Sequence, residues 1–235
     1  MISQLKAPPV TGRSIRIATD GVTLAGDLVI PGGAEGIVLF AHGSGSSRLS
    51  SRNRFVARVL QSAGIATLLF DLLSAEEEIA DAVDGHLRFN IDLLALRLVH
   101  AVRFVQAQPE TKNLGIGIFG ASTGGAAALV AAAELGAAVQ AVVSRGGRPD
   151  LAGDALPRVH SPTMLIVGER DDVVLQLNRE ACQQLSGEKR VTLVPGATHL
   201  FEEAGALEKV ASLAAAWFQY RLRSSHRGGG RDAKK

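Results

Sequence analysis

Leu114 to Leu129 confines the chain more tightly than any other stretch. Its first part, Ile116 to Phe119, is a short apolar run suited to a buried strand, and Gly120 ends it. After Ser122 the residues are small and helix-compatible. The order therefore predicts a strand, a very short turn and a helix. Gly120-Ala121-Ser122-Thr123-Gly124 fits G-x-S-x-G, the pattern of a turn so sharp that a serine hydroxyl stands out above the sheet. Side chains at 120 and 124 would strike the adjoining helix and strand, so glycine is needed at both. The helix start adds free backbone N–H groups and a positive dipole end, both suited to a developing negative charge. The competing reading is a glycine-rich turn with no chemistry, which 26 glycines make easy to find. The pattern occurs once, between an expected strand and an expected helix. Ser122 is a candidate nucleophile.

The rest of the chain supplies the sheet that such a turn needs. Ile15 to Thr19 and Leu24 to Ile30 are expected strands around Asp20-Gly21. Gly36 to Ala41 is a continuous apolar run, as in a strand buried on both faces, and it leads into His42-Gly43-Ser44-Gly45. A helix follows over Arg54 to Ala63, then a strand over Ile65 to Phe70. The connection Asp71 to Arg88 is the longest irregular one; Ser74 is placed to cap a short helix through Glu76, Glu77 and Glu78, a run expected to face solvent. Ile91, Leu94, Leu98, Val102 and Val105 have helical spacing. Beyond the central turn come strands at Val139 to Ser144, Met164 to Val167 and Val191 to Val194. Helices are expected around Asn178 to Leu185 and from Ala206 to Tyr220. Strands alternating with helices predict an α/β domain, a mostly parallel sheet covered on both faces, spanning residues 1–223 without an internal linker.

Composition narrows the function. The net charge of +2 is unevenly placed: residues 221–235 hold six basic residues against Asp232, which leaves 19 basic and 22 acidic residues before them. A nucleic-acid binder carries its basic stripe on the folded body, so no nucleic-acid partner is expected. Residues 224–235, with Gly228-Gly229-Gly230, are expected to be a disordered basic tail. Cys182 is the only cysteine, which excludes an internal disulfide and fits a reducing compartment. No signal peptide or membrane-spanning stretch is found, so the expectation is a cytoplasmic protein without a membrane partner.

Three polar residues follow strands at the edge where such sheets bind ligands: Ser122, Asp171 and His199. Their order is the one that accompanies a G-x-S-x-G turn. A hydroxyl attacks, an imidazole takes and returns its proton, and a carboxylate holds the imidazole. Through His42–Gly45, Gly120–Gly124, Gly168–Val174 and Gly196–His199 the chain resembles the α/β-hydrolases, and within them the dienelactone-hydrolase-like serine hydrolases. The resemblance runs over roughly residues 15 to 220. It implies an eight-stranded sheet, Ser122, Asp171 and His199 as catalytic residues, and ester or lactone hydrolysis through an acyl-enzyme. The lactone hydrolases that name the family use cysteine at the turn, where this chain has serine; Cys182, in an expected helix, cannot replace it.

Subsidiary expectations follow. The oxyanion hole combines the backbone N–H of Thr123 with that of Ser44, or alternatively Gly45. Arg145, after the sixth strand, either binds a substrate carboxylate or pairs structurally with Asp150 or another loop acid. Asp172 faces away from His199 and caps the following helix. Residues 145 to 163 are too short and too rich in glycine and proline for a cap domain. No cluster has metal-ligand spacing and the glycine pairs lack a phosphate loop's Lys-Ser/Thr, so no metal or organic cofactor is expected. The expected partner is a small-molecule ester or lactone with a short acyl group. An acyltransferase using the same three residues and a non-catalytic binding protein on the same fold are the alternatives.

Overall fold

Alternation of large apolar side chains decides where the sheet lies. In β3 (Gly36–Ala41), Ile37 and Leu39 join one buried cluster while Val38 and Phe40 join another on the opposite face. The same division holds in β5 (Gly115–Ala121), with Ile116 and Ile118 on one side and Phe119 on the other. A strand with both faces apolar must be covered twice. A computed structural model describes residues 10–222, and it shows that double cover. The expected tail, 224–235, lies outside the described residues.

The remaining strands are β1 (Val10–Thr19), β2 (Val22–Pro31), β4 (Ala66–Phe70), β6 (Val139–Arg145), β7 (Thr163–Gly168) and β8 (Lys189–Val194). They form one eight-stranded sheet in the order β1-β2-β4-β3-β5-β6-β7-β8. From β4 to β8 every neighbouring pair is parallel. Strand β2 runs against both of its neighbours. The parallel set delivers its carboxyl ends to a single edge, and β5 lies at its centre.

One face is covered by α3 (Ile91–Ala107) and α4 (Thr123–Leu135), which contribute Leu94, Leu98, Val102 and Leu129 to the core. The other is covered by α1 (Ser51–Ser62) and α6 (Ala206–Arg221), through Val56, Leu60, Val210, Trp217 and Phe218. Phe40 and Phe119, from adjacent strands, stack with ring centroids 5.0 Å apart, a pairing worth about 0.5–1.5 kcal/mol beyond burial. Among the described residues, no helix is long and apolar enough to cross a membrane.

Two connections differ in detail from expectation. Residues 75–84 form α2 (Ala75–Asp84), capped by Ser74 as expected: Ser74 Oγ accepts from the Glu77 N–H at 3.2 Å, and Glu77 Oε2 accepts from the Ser74 N–H at 2.8 Å. Glu77 nevertheless leaves the solvated face, because its other oxygen accepts from Nη2 of buried Arg97 at 2.8 Å. Helix α5 spans Asp172–Gln184, beginning six residues before the expected Asn178. Between β6 and β7 there are only 3₁₀ turns, Pro149–Arg158, broken at Gly153 where φ is +46°. They pack on α4 and α5, and no cap domain is built.

Candidate active site

The turn at the end of β5 is as tight as its glycines require. A Cβ on Gly120 would lie 2.4 Å from the Gly124 carbonyl oxygen, and one on Gly124 would lie 2.3 Å from that of Ala41. Only glycine fits at either position. Ser122 itself has φ +51° and ψ −123°, a strained conformation that costs about 1–3 kcal/mol and is kept mainly at functional sites. It stands at the N-cap of α4 but makes no side-chain cap bond. The hydroxyl is thereby left facing the cavity.

Strands β7 and β8 bring the other two residues to the same place. A Cβ on Gly168 would lie 2.5 Å from the carbonyl oxygens of Ala197 and Thr198, so the loop after β7 and the loop after β8 lie backbone against backbone. Arg170 N–H donates to the Ala197 carbonyl at 2.9 Å, and Gly196 N–H donates to Glu169 Oε2 at 2.8 Å. Glu203 steadies the second loop by accepting from the Thr198 N–H and hydroxyl at 3.0 and 2.6 Å. Between these loops His199 Nδ1 donates to Asp171 Oδ2 at 2.7 Å. A carboxylate only accepts, so the ring proton sits on Nδ1 and Nε2 keeps its lone pair for an incoming proton. Asp171 holds the N-cap position of α5, yet its side chain makes no cap bond and turns to His199 instead. Asp172 is exposed in the first turn of α5, so the expectation that Asp172 caps this helix is corrected.

Ser122 and His199 line one cavity of about 250 Å³, with Gly43, Ser44, Ser46, Ser50, Arg52, Asn53, Ala121, Arg145 and Leu200. Among the described residues no hydrogen bond joins the Ser122 hydroxyl to His199 Nε2. Such contacts are often loose until a substrate is bound. The loop after β3 forms one wall. It is held by buried His42, whose Nε2 accepts from the Leu72 N–H at 3.0 Å while Nδ1 meets the Gly43 carbonyl at 3.0 Å. That pair of bonds fixes a neutral ring with its proton on Nδ1, and burial pushes the pKa below its ordinary value.

The loop places Ser44 beside the turn, but its amide is engaged. Ser44 N–H donates to Thr123 Oγ1 at 2.9 Å. It is therefore not open to an oxyanion in this arrangement, unlike the expected free donor. The Thr123 amide is the first of α4, at the helix end where intrahelical acceptors are lacking.

Arg145 lines the cavity and is buried, 7% exposed. The expected pairing with Asp150 is not made: Asp150 takes Arg148, with three contacts of 2.7–3.2 Å. Arg52, on α1, is a cavity residue that the sequence did not single out. Asp81, Asp84 and His86 come together, a grouping of residues able to ligate a metal that the sequence reading did not expect; within it Asp81 accepts from Arg88 and Asp84 from His86.

The comparisons with known proteins agree with this architecture. The crystal structure of a dienelactone hydrolase from Anabaena variabilis superposes with a TM-score of 0.90 and 58% identity, over 91% of this chain and 99% of that one. Est1E from Butyrivibrio proteoclasticus shares the fold, with a TM-score of 0.73 at 17% identity over 88% of this chain and 98% of that one. A Mycobacterium tuberculosis protein provisionally named a phosphoribosyl transferase is 56% identical over 211 residues, 90% of this chain and 47% of that protein. The chain thus spans about half the length of that relative. The family model for dienelactone hydrolases matches residues 24–221, which leaves out β1 but takes in β3 to β8 and the loops that converge on the cavity. On that match the chain belongs to the dienelactone hydrolase family.

Proposed function

We propose that the chain hydrolyses small carboxylic esters or lactones through an acyl-enzyme formed on Ser122. The observation that carries this reading is the 2.7 Å bond from His199 to Asp171 on the wall of the cavity that the strained Ser122 enters. In the proposed cycle Ser122 Oγ attacks the carbonyl carbon as its proton passes to His199 Nε2. The carbonyl oxygen, now negative, turns to the Thr123 amide at the positive end of α4. The tetrahedral adduct collapses and expels the alcohol, which takes the proton from His199. Water then attacks the acyl-serine by the same steps, releasing the acid and restoring the hydroxyl. Asp171 keeps the imidazole in the required tautomer and stabilises its charged form.

No cofactor or metal is needed for this cycle, and a reducing compartment such as the cytoplasm suits a chain whose one cysteine, Cys182, is free. The transferase name belongs to a protein about twice as long, and we assign that name to the half this chain does not span. The test is labelling by a fluorophosphonate, which should modify Ser122. Ser122→Ala should stay folded, lose the label and lose ester turnover by orders of magnitude. A folded Ser122→Ala protein with most of its activity would end this reading.

A further inference from the structure

Ser122 holds a strained backbone, φ +51°, and a strained residue stays so only where its surroundings determine it. The turn glycines permit that conformation without enforcing it. Enforcement comes from the chain that follows β6. Ser122 N–H donates to the Arg145 carbonyl at 3.3 Å, and the Ser122 carbonyl accepts from the Arg148 N–H at 3.1 Å. Residues 145 and 148 thus grip Ser122 on both sides of its Cα. The same short loop lies against His199: a Cβ on Gly146 would come within 3.2 Å of the His199 carbonyl oxygen.

A loop containing Gly146 and Gly147 is soft by itself, so it must be braced from outside. Gly146 N–H donates to the Ile166 carbonyl on β7 at 2.8 Å. Gly147 is braced by a side chain. Asn178, fully buried on α5, donates from Nδ2 to the Gly147 carbonyl at 2.9 Å and to the Val174 carbonyl at 2.7 Å. Both carbonyls only accept, which fixes the amide orientation and leaves Oδ1 without a partner among the described residues. Asparagine is a poor helix former, and a buried polar atom without a partner is destabilising. An apolar side chain would suit the interior of α5 better, so what Asn178 contributes is the bond to Gly147. Ser144, also fully buried, packs against the same loop: a Cβ on Gly147 would collide with its Oγ, and one on Gly125 would lie 2.6 Å from it. Asp171, which bonds His199, stands at the N-cap of the same helix, seven residues or about two turns before Asn178. One helix therefore carries both the bond to the imidazole and the bond to the loop that grips the serine.

We infer that Asn178 is a positioning residue: through Gly147 and the Arg148 amide it holds Ser122 in the strained conformation that turns its hydroxyl to the cavity. This deepens the proposed hydrolase reading and rests on it for the role of Ser122 as nucleophile. Asn178 does not line the cavity, so its loss should spare substrate binding. A nucleophile displaced by about 1 Å loses about 10²-fold in rate.

The test compares Asn178→Leu, similar in size but without donors, with Ala181→Gly, which weakens the same helix and leaves the Gly147 bond in place. Three quantities are measured well below Tm: the rate of Ser122 labelling by a fluorophosphonate, kcat and KM for p-nitrophenyl acetate, and hydrogen exchange of the Arg148 amide by NMR. Asn178→Leu should still label to completion, but tenfold or more slowly, with kcat reduced by a similar factor and KM within about twofold. Its Arg148 amide should exchange at least tenfold faster, while amides in β3 and β5 keep their protection. Ala181→Gly should lower Tm and leave the labelling rate and Arg148 exchange at parent values. If Asn178→Leu does not fold, Asn178→Ser, whose hydroxyl is too short to reach Gly147, is read in the same way. A folded Asn178 variant that labels at the parent rate would overturn the proposal, whatever its Tm. So would an equal slowing in Ala181→Gly, which would mark general loosening of α5. If the parent protein is not labelled at Ser122, the hydrolase reading fails, and Arg148 exchange alone then decides whether Asn178 braces the loop.

Discussion

The Ser44 amide and the Thr123 hydroxyl are joined at 2.9 Å, which ties the loop after β3 to the residue that follows Ser122. For Ser44 to serve as an oxyanion donor, that bond must be exchanged for one to the substrate. A neutral hydrogen bond has a net worth of about 0.5–1.5 kcal/mol, equivalent to roughly two- to tenfold in rate. Thr123→Val has the same shape and no acceptor. It should raise kcat for a neutral ester by a few fold, with unchanged labelling of Ser122. An unchanged or lower kcat would exclude Ser44 and leave Gly45 as the alternate donor.

Asp171 and Asp172 are adjacent, yet only Asp171 reaches His199. Asp171→Asn keeps the shape but offers an amide, which disfavours the tautomer with the proton on Nδ1. The expected loss in kcat is roughly 10³–10⁴-fold. Asp172 is exposed at the start of α5, and Asp172→Asn should stay within about twofold, as surface replacements generally do. Steady-state kinetics of the two variants decide the assignment, and the reverse ranking would refute it.

His42 links the loop after β3 to Leu72 only while its ring is neutral. Burial is the main cause of its lowered pKa; the Gly43 carbonyl and the Asp71 charge act in the other direction. The unfolded chain therefore binds more protons than the folded one below about pH 6.5, so stability rises with pH across that window. The His42 contribution is complete above about 6.5 and is lost as the pH falls from there through the folded value. Tm should drop between pH 7.5 and pH 5, and His42→Gln, which retains an acceptor for Leu72, should show a shallower drop. Parallel curves for the two proteins would show that His42 is not the group responsible.

Legibility in the sequence followed the range of the interaction. Ser122, Asp171 and His199 each stand on a local pattern: a strand end, a required glycine and a fixed spacing. The two glycine contacts at 120 and 124 were foreseeable because they follow from one turn. Arg97 was hidden, since it sits between Leu94 and Leu98 on the apolar side of α3 and finds its partners, Thr19 and Glu77, in distant segments. The start of α5 was missed because Val173 and Val174 are β-branched and have low helix propensity. Arg148, two residues from Asp150, captured the acid expected for Arg145. Arg52 and Arg145 reach one cavity from α1 and from the end of β6, elements far apart in the chain, and no spacing encodes that meeting.

Chain-length preference follows from what lines the cavity. Of the residues around Ser122 and His199, Leu200 is the one large apolar side chain; Ser44, Ser46, Ser50, Arg52, Asn53 and Arg145 supply the rest. A longer acyl group finds little apolar surface there. A larger cavity of about 510 Å³, with Leu49, Leu72, Leu73 and Leu94 in its lining, lies across the loop after β3, and Gly43, Ser44, Ser46 and Ser50 line both spaces. Without a cap domain over the site, methylenes beyond the first few stay in water. Each one forgoes about 0.8 kcal/mol of burial, roughly fourfold in kcat/KM. Among neutral p-nitrophenyl esters, kcat/KM should peak between acetate and butyrate and decline with each added carbon. The full series from acetate to palmitate, assayed below the micelle concentration, checks this. A palmitate ester hydrolysed faster than butyrate would show that the loop opens and joins the two cavities into one lipid-sized groove.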